Sequence, residues 1–246
     1  MFLTIKNKDP IFEGERVVEN TTPRRIWLDH VARYEFVSRY IKGKSVLDIA
    51  CGTGYGSRII CDSGATRVIG IDISEEVIRL ARDKYETDKL EFKVGDMLNI
   101  DFPEFFFNVI ICFETIEHIK NQHKALLELR RVLNPKGLLI ISSPNRRVTS
   151  PFKASDESPD NPFHTVEYTV KEFTQLLRGY FEILEIYGQR AIGKLFFLPI
   201  FEMIARKVNP SVYDPEKGNP ELERLSRKKE YRYITAVCRK LDKGSA

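Results

Sequence analysis

The chain has no Cys-x-x-Cys pair. Its cysteines, Cys51, Cys61, Cys112 and Cys238, are scattered, two of them within apolar runs. That spacing excludes a zinc ribbon or a disulfide framework and fits reduced, buried thiols, as in a reducing cytosol. There is no apolar run near the roughly 20 residues that cross a bilayer. The most apolar stretch, Leu195 to Ala205, is interrupted by Pro199 and Glu202. The opening residues, Met1-Phe-Leu-Thr-Ile-Lys6, lack the apolar core and small-residue cleavage site of a secretory signal. A cytoplasmic protein without a transmembrane segment is expected, with the stretch 190–205 as a candidate for peripheral or homo-oligomeric contact. There is also no block of like charge: 39 basic and 35 acidic residues are interspersed, for a net charge of +4. With no basic stripe carrying interleaved aromatics, no nucleic-acid partner is expected. Internal repeats and low-complexity tracts are absent.

What is present is a composition, 42% hydrophobic and 11% aromatic, that supports one sizeable core in 246 residues. Short apolar runs alternate with helical patterns. Ser45–Ala50, Arg67–Ile73, Leu90–Val94, Phe107–Phe113 and Gly137–Ser142 read as strands; Tyr55–Ser63, Ser74–Tyr85 and Gln122–Leu133 read as helices. Runs such as Val109-Ile-Ile-Cys-Phe113 are apolar on both faces, as parallel strands covered by helices must be. Trp27, Val31, Tyr34, Ser38 and Ile41 place a helix over 25–42, stopped at Gly43. A Pro-, Ser- and Asn-rich loop at 144–165 precedes a helix over Thr169–Arg178, a sixth strand over Phe181–Tyr187 and a seventh over Tyr231–Arg239. The expectation is an α/β fold: a doubly wound, seven-stranded, mostly parallel sheet in a single domain over 1–246. Within it, 1–43 form an N-terminal arm and helix, 44–189 the cofactor-binding core, 190–230 an insertion or lid between strands six and seven, and 231–246 the last strand and tail. So long a connection is usually functional or partly disordered.

The turn after the first strand carries Gly52, Gly54 and Gly56. Such a turn lets backbone approach a ligand, and the helix start beyond it favours negative charge. Its GxGxG spacing differs from the GxGxxG of dinucleotide enzymes. Ligands of open α/β sheets bind at strand ends, and acids stand there. Asp72 closes the second strand, 20 residues after Gly52, where it would accept from ribose hydroxyls. Asp96, beside the Met97 amide, would accept from an adenine amino group, with Ile73 and Met97 sandwiching the purine. Each acid alone is also an ordinary cap or turn residue, as Ser74 before Glu75 illustrates.

Val46-Leu-Asp-Ile-Ala-Cys-Gly-Thr-Gly54, Gly70-Ile-Asp-Ile-Ser74, Gly95-Asp-Met97, Phe113-Glu-Thr-Ile-Glu-His118 and Arg131-Val-Leu-Asn-Pro-Lys-Gly-Leu-Leu139 resemble the successive motifs of class I S-adenosylmethionine-dependent methyltransferases. The likeness covers residues 45–145. It implies a Rossmann-like sheet with a reversed last strand and S-adenosyl-L-methionine as cofactor. It carries Gly52 and Gly54 over to the methionine moiety, Asp72 to the ribose and Asp96 to the adenine, with Asp48 ordering the loop at the methionine end. Phe113 joins the cofactor-lining set. Ala50 departs from the family, many of whose members have glycine there.

Methyl transfer is an in-line displacement that needs an aligned acceptor and, for an alcohol, a proton acceptor. Glu114, Glu117 and His118 fall at i, i+3 and i+4, on one side of a helical turn. His118 reads as a general base oriented by a glutamate. Alternatively, the three join His164 around a divalent ion, magnesium or manganese, or the turn merely shapes the cofactor pocket. The cluster resembles that of ubiquinone-pathway and small-RNA 2′-O-methyltransferases. The loop Ser143-Pro-Asn145, Asn161-Pro-Phe-His164 and Glu167-Tyr168 is similar to bacterial methyltransferases of sugar and polysaccharide biosynthesis. Transfer to a hydroxyl of a small polar acceptor, a sugar or glycan, is expected. The alternatives are a quinone, phenol or other metabolite, or a non-catalytic binding subunit.

Overall fold

The computed structural model describes residues 16–151, 153–193 and 219–241. The expected alternation of strand and helix is present: α1 (Arg24–Ile41), β1 (Ser45–Ile49), α2 (Tyr55–Asp62), β2 (Arg67–Asp72), α3 (Glu75–Tyr85), β3 (Leu90–Val94), β4 (Phe107–Cys112), α4 (Gln122–Val132) and β5 (Leu133–Pro144). There follow the one-turn α5 (Arg146–Thr149), α6 (Val170–Arg178), β6 (Phe181–Gly193), β7 (Glu223–Arg224) and β8 (Lys229–Lys240). The strands stand in the order β3-β2-β1-β4-β5-β8-β6-β7. Strands β1 to β5 pair in parallel, and β8 enters antiparallel between β5 and β6.

Successive side chains of a strand point to opposite faces, so each uniformly apolar strand feeds two cores. On one face Leu47, Ile69, Ile110, Leu139 and Ile141 pack with Leu126 and Leu129 of α4 and Phe173 and Leu177 of α6. On the other, Val46, Val68, Val109, Ile111 and Ile140 meet Tyr34, Val37 and Ile41 of α1, Ile60 of α2 and Ile78 of α3. Each such side chain contributes about 1.5–3 kcal/mol on full burial. Two helices start one residue later than the sequence suggests, because Ser74 and Thr169 are caps. The Ser74 hydroxyl accepts from the Val77 amide, and Thr169 forms a capping box with Glu172.

Among the described residues the sheet has eight strands rather than seven. Glu223 and Arg224 add a two-residue edge antiparallel to Tyr187–Gly188, too short for period-two patterning to reveal. The ladder between β6 and β8 runs out to Gly193 and Lys229, so sheet occupies parts of the expected 190–230 insertion. Residues 194–218, most of the apolar 190–205 stretch among them, lie outside the described residues, as do 1–15 and 242–246. No helix among the described residues is long and apolar enough to cross a membrane. All four cysteines are free thiols.

Candidate active site

A cleft opens at the carboxyl ends of β1, β2 and β4. Its cavity volume is about 230 Å³. Ala50, Gly52, Asp72, Ile73, Asp96, Met97 and Phe113 of the expected cofactor set line it. The turn between β1 and α2 reverses through left-handed backbone at Ala50 (φ +58°), Gly52 (+56°) and Gly54 (+84°). This conformation explains why glycine suits position 50; alanine there costs on the order of 1–2 kcal/mol. Asp72 holds the turn, its carboxylate accepting from the Gly52 amide and the Ser74 amide, both at 3.0 Å. Arg16 lies 3.9 Å from the same carboxylate. Met97 is buried in the wall, whereas Ile73 stands at the mouth, 71% exposed. Asp96 is exposed, and its carboxylate accepts from the Leu98 amide at 2.8 Å.

Gly54 and Asp48 are not among the lining residues. A Cβ on Gly54 would lie 2.8 Å from Ala81 and Phe92, so its bareness serves the packing of α2 against α3 and β3. Asp48 is fully buried behind the cleft, accepting from the Ser57 hydroxyl at 2.6 Å and the Tyr34 hydroxyl at 3.2 Å. Burial pushes its carboxyl up to about 7 against the opposing effect of those two bonds, and the nearby Asp72 charge adds to the rise. Sequence reading missed His30, Tyr34 and Tyr55, which also line the cleft. Tyr34 looked like an ordinary core position of α1; only the ring seated over Gly56, 2.1 Å from where a Cβ would be, shows that α1 and the glycine turn were fitted to each other.

After β4 the chain does not form the regular helical turn that its spacing suggests. Glu114 adopts φ +49°, and a 3-10 turn covers Ile116–His118. The three polar side chains therefore part company. Glu114 and His118 line the cleft, while Glu117 turns inward with no exposed surface. Glu114 accepts from the Ser142 hydroxyl at 2.5 Å. Burial, reinforced by the Glu114 charge, holds the Glu117 carboxyl well above the usual range, and neither of its oxygens has a hydrogen-bond partner. His118 Nδ1 is 3.0 Å from the Phe163 carbonyl. A carbonyl only accepts, so this contact assigns the proton to Nδ1 and makes Nε2 the basic nitrogen.

His164 lies edge-on to His118, with ring centroids 4.9 Å apart, but does not line the cleft. Its Nδ1 contacts Glu167 at 2.7 Å and its Nε2 the Asn161 amide nitrogen at 2.9 Å. Burial would raise Glu167, yet hydrogen bonds from His164, Thr149 and Ser150 outweigh it and hold that carboxyl below the ordinary range. Of the four candidate metal ligands, Glu117, His118 and His164 converge, with ligand atoms all within 4.8 Å of one another.

A mostly parallel sheet with a reversed strand inserted between β5 and β6, and a glycine turn facing two strand-end acids, defines the class I methyltransferase architecture. Residues 41–189 match the family model described as a methyltransferase domain, and the chain belongs to that family of S-adenosylmethionine-dependent enzymes. It is 33% identical over 177 residues to a Mycolicibacterium smegmatis protein described as a probable S-adenosylmethionine-dependent methyltransferase, a match covering 71% of this chain and 66% of that one. It thus spans just under two thirds of that relative's length. A ubiquinone biosynthesis O-methyltransferase of Glaesserella parasuis is 34% identical over 111 residues, 42% of this chain and 47% of its own. Among solved structures, a Pyrococcus horikoshii protein superposes with a TM-score of 0.64 at 20% identity, covering 94% of this chain and 97% of that one. At that identity it speaks for the fold alone.

Proposed function

We propose that this chain transfers the methyl group of S-adenosylmethionine to a hydroxyl of a small polar acceptor, a sugar or glycan, with His118 as general base. The observation that carries this reading is the tethered imidazole: His118 stands at the cleft with Nδ1 committed to the Phe163 carbonyl, so Nε2 is the nitrogen that takes a proton. Asp72 would accept from the ribose, and Asp96 with the Met97 amide would meet the adenine edge. As the acceptor oxygen attacks the methyl carbon, the sulfur–carbon bond breaks. Nε2 takes the hydroxyl proton, and S-adenosylhomocysteine leaves as a neutral thioether. The name of the G. parasuis relative supports oxygen as the acceptor atom. The test is transfer of labelled methyl to a panel of nucleotide sugars, glycans and phenols. His118→Ala should lower turnover by about 10²–10⁴-fold while its S-adenosylhomocysteine affinity stays unchanged. Full activity in that variant would remove the assignment, and cofactor binding without turnover of any acceptor would favour a binding subunit.

The convergence of Glu117, His118 and His164 favours a second reading. Those residues would hold a divalent ion, with manganese suiting two imidazoles and a carboxylate better than magnesium, and the ion would acidify a bound acceptor hydroxyl. Turnover that survives exhaustive chelation eliminates it.

A further inference from the structure

The two imidazoles that line the cleft are oppositely prepared. His118 has its proton on Nδ1, against the Phe163 carbonyl. His30, half-buried on α1, has Nδ1 3.0 Å from the Tyr55 hydroxyl. Tyr55 is buried, and its hydroxyl has no other partner among the described residues. Were Nδ1 the donor, the phenol proton would be left in the cleft wall without an acceptor. The phenol therefore donates, Nδ1 accepts, and the ring proton stands on Nε2. Burial, reinforced by the Arg33 charge, pushes the imidazole well below its usual range, so the ring is neutral and carries that single proton. Nε2 has no partner among the described residues, which leaves its N–H to a ligand.

His30 stands at the β1–β4 end of the cleft. Tyr55 opens α2 directly after the glycine turn. Tyr34, one turn beyond His30 on α1, packs edge-on against Tyr55 and Phe113, with centroids 5.7 and 5.2 Å apart. Asp72 and Asp96 occupy the other end, beyond β2 and β3, and Glu114 the wall after β4. Those acids disfavour an anion where they stand. Around His30 the field has the opposite sign, because the buried Arg33 pairs with no carboxylate among the described residues. Other lining side chains that could donate are engaged: the Tyr34 hydroxyl with Asp48 and the Thr115 hydroxyl with the Phe113 carbonyl, while Arg16 faces Asp72. A cofactor with its ribose at Asp72 and its adenine at Asp96 carries its amino-acid end away from both, toward β1 and β4.

We propose that His30 binds the α-carboxylate of S-adenosylmethionine through Nε2–H, with Tyr55 fixing the tautomer, so that this pair selects the intact amino-acid end over nucleosides that lack it. The assignment deepens the methyl-transfer reading and rests on it. A neutral donor suits this ligand, because a cationic imidazole would also repel the sulfonium and α-ammonium groups carried beside the carboxylate.

The probes are S-adenosylhomocysteine and 5′-methylthioadenosine, which keeps the adenine, ribose and thioether but lacks the amino-acid end. Both are titrated calorimetrically into the full chain. His30→Phe keeps a ring beside Tyr55 and removes the donor. It should bind S-adenosylhomocysteine about ten- to a hundredfold more weakly than wild type, the loss expected for a hydrogen bond to a charged group, with 5′-methylthioadenosine affinity unchanged. In wild type loaded with S-adenosylhomocysteine, long-range proton–nitrogen NMR should show His30 protonated at Nε2 and bare at Nδ1. That measurement needs no substitution, so it decides the matter even if His30→Phe misfolds. Unchanged S-adenosylhomocysteine affinity in His30→Phe, equal losses for both ligands, or an Nδ1-protonated His30 in the loaded protein would each overturn the assignment. If wild type binds neither ligand, the methyl-transfer reading itself falls, and the assignment with it; if it binds both, that reading stands whatever His30 does.

Discussion

At the scale of single residues, environment assigns roles that residue type alone does not. Three carboxylates, Asp48, Glu117 and Glu167, are all buried, yet they are driven differently. Burial pushes Asp48 and Glu117 up, whereas three donors hold Glu167 down. For Asp48 the consequence is measurable. With a carboxyl near 7 when folded and near 3.9 when unfolded, the folded state holds a proton between those values that the unfolded state releases. The contribution is therefore present below about 4 and is lost as pH rises toward 7. Comparing melting temperatures of wild type and Asp48→Asn from pH 5 to 8 isolates this group from His30 and Glu117, which titrate in both proteins. The stability of wild type relative to the variant should fall across that range, and a pH-independent difference would contradict the buried-carboxyl assignment. Sequence spacing could place Glu114, Glu117 and His118 near the cleft but not orient them. The left-handed backbone at Glu114 breaks the helical period on which the i, i+3, i+4 argument depends.

Elements were legible where periodicity was long. α1, α2, α3, α4 and all the parallel strands follow from apolar spacing, since each has a face or faces to bury. β7 was not legible, because two residues carry no period, and the full length of β6 was hidden by Gln189 and Arg190, polar residues buried near its end. The burial of Arg33 was equally invisible: a basic residue in an amphipathic helix reads as solvated until its neighbours are known. The fit of α1 to the glycine turn gives an element-scale expectation. Gly56→Ala places a methyl group inside the Tyr34 ring, and overpacking of this kind costs about 1–3 kcal/mol. Urea unfolding should show that loss, partly recovered when Tyr34→Leu is added. An additive double variant would mean that helix and turn are not coupled.

For the whole molecule, the cofactor assignment predicts a stability change. Ligand at a hundredfold over its Kd adds about 2.7 kcal/mol, which for a protein of this size is a rise of about 5–10 °C in Tm. S-adenosylhomocysteine should produce it. Asp72→Ala should melt lower from the start, because the Gly52 and Ser74 amides lose their acceptor, and should show a smaller ligand-induced shift. Equal shifts in the two proteins would remove Asp72 from the cofactor site. The doubly wound, mostly parallel sheet and the strand-end location of the ligand site were both readable from the βα alternation, whereas the strand order was not. Which amides the strand-end acids would already hold was not, since that depends on backbone reversal at Ala50 and Gly52.

The position of β8 also bears on how the molecule is made. Strands β5 and β6 touch only through β8, so during synthesis both present open edges until residues 229–240 have left the ribosome. Open edges of this kind recruit other strands, and sheet closure by such distant pairing is slow. The nascent chain thus passes through a stage with a nearly complete cofactor half and an unclosed far half. That interval is the one in which chaperone capture or aggregation would compete with folding.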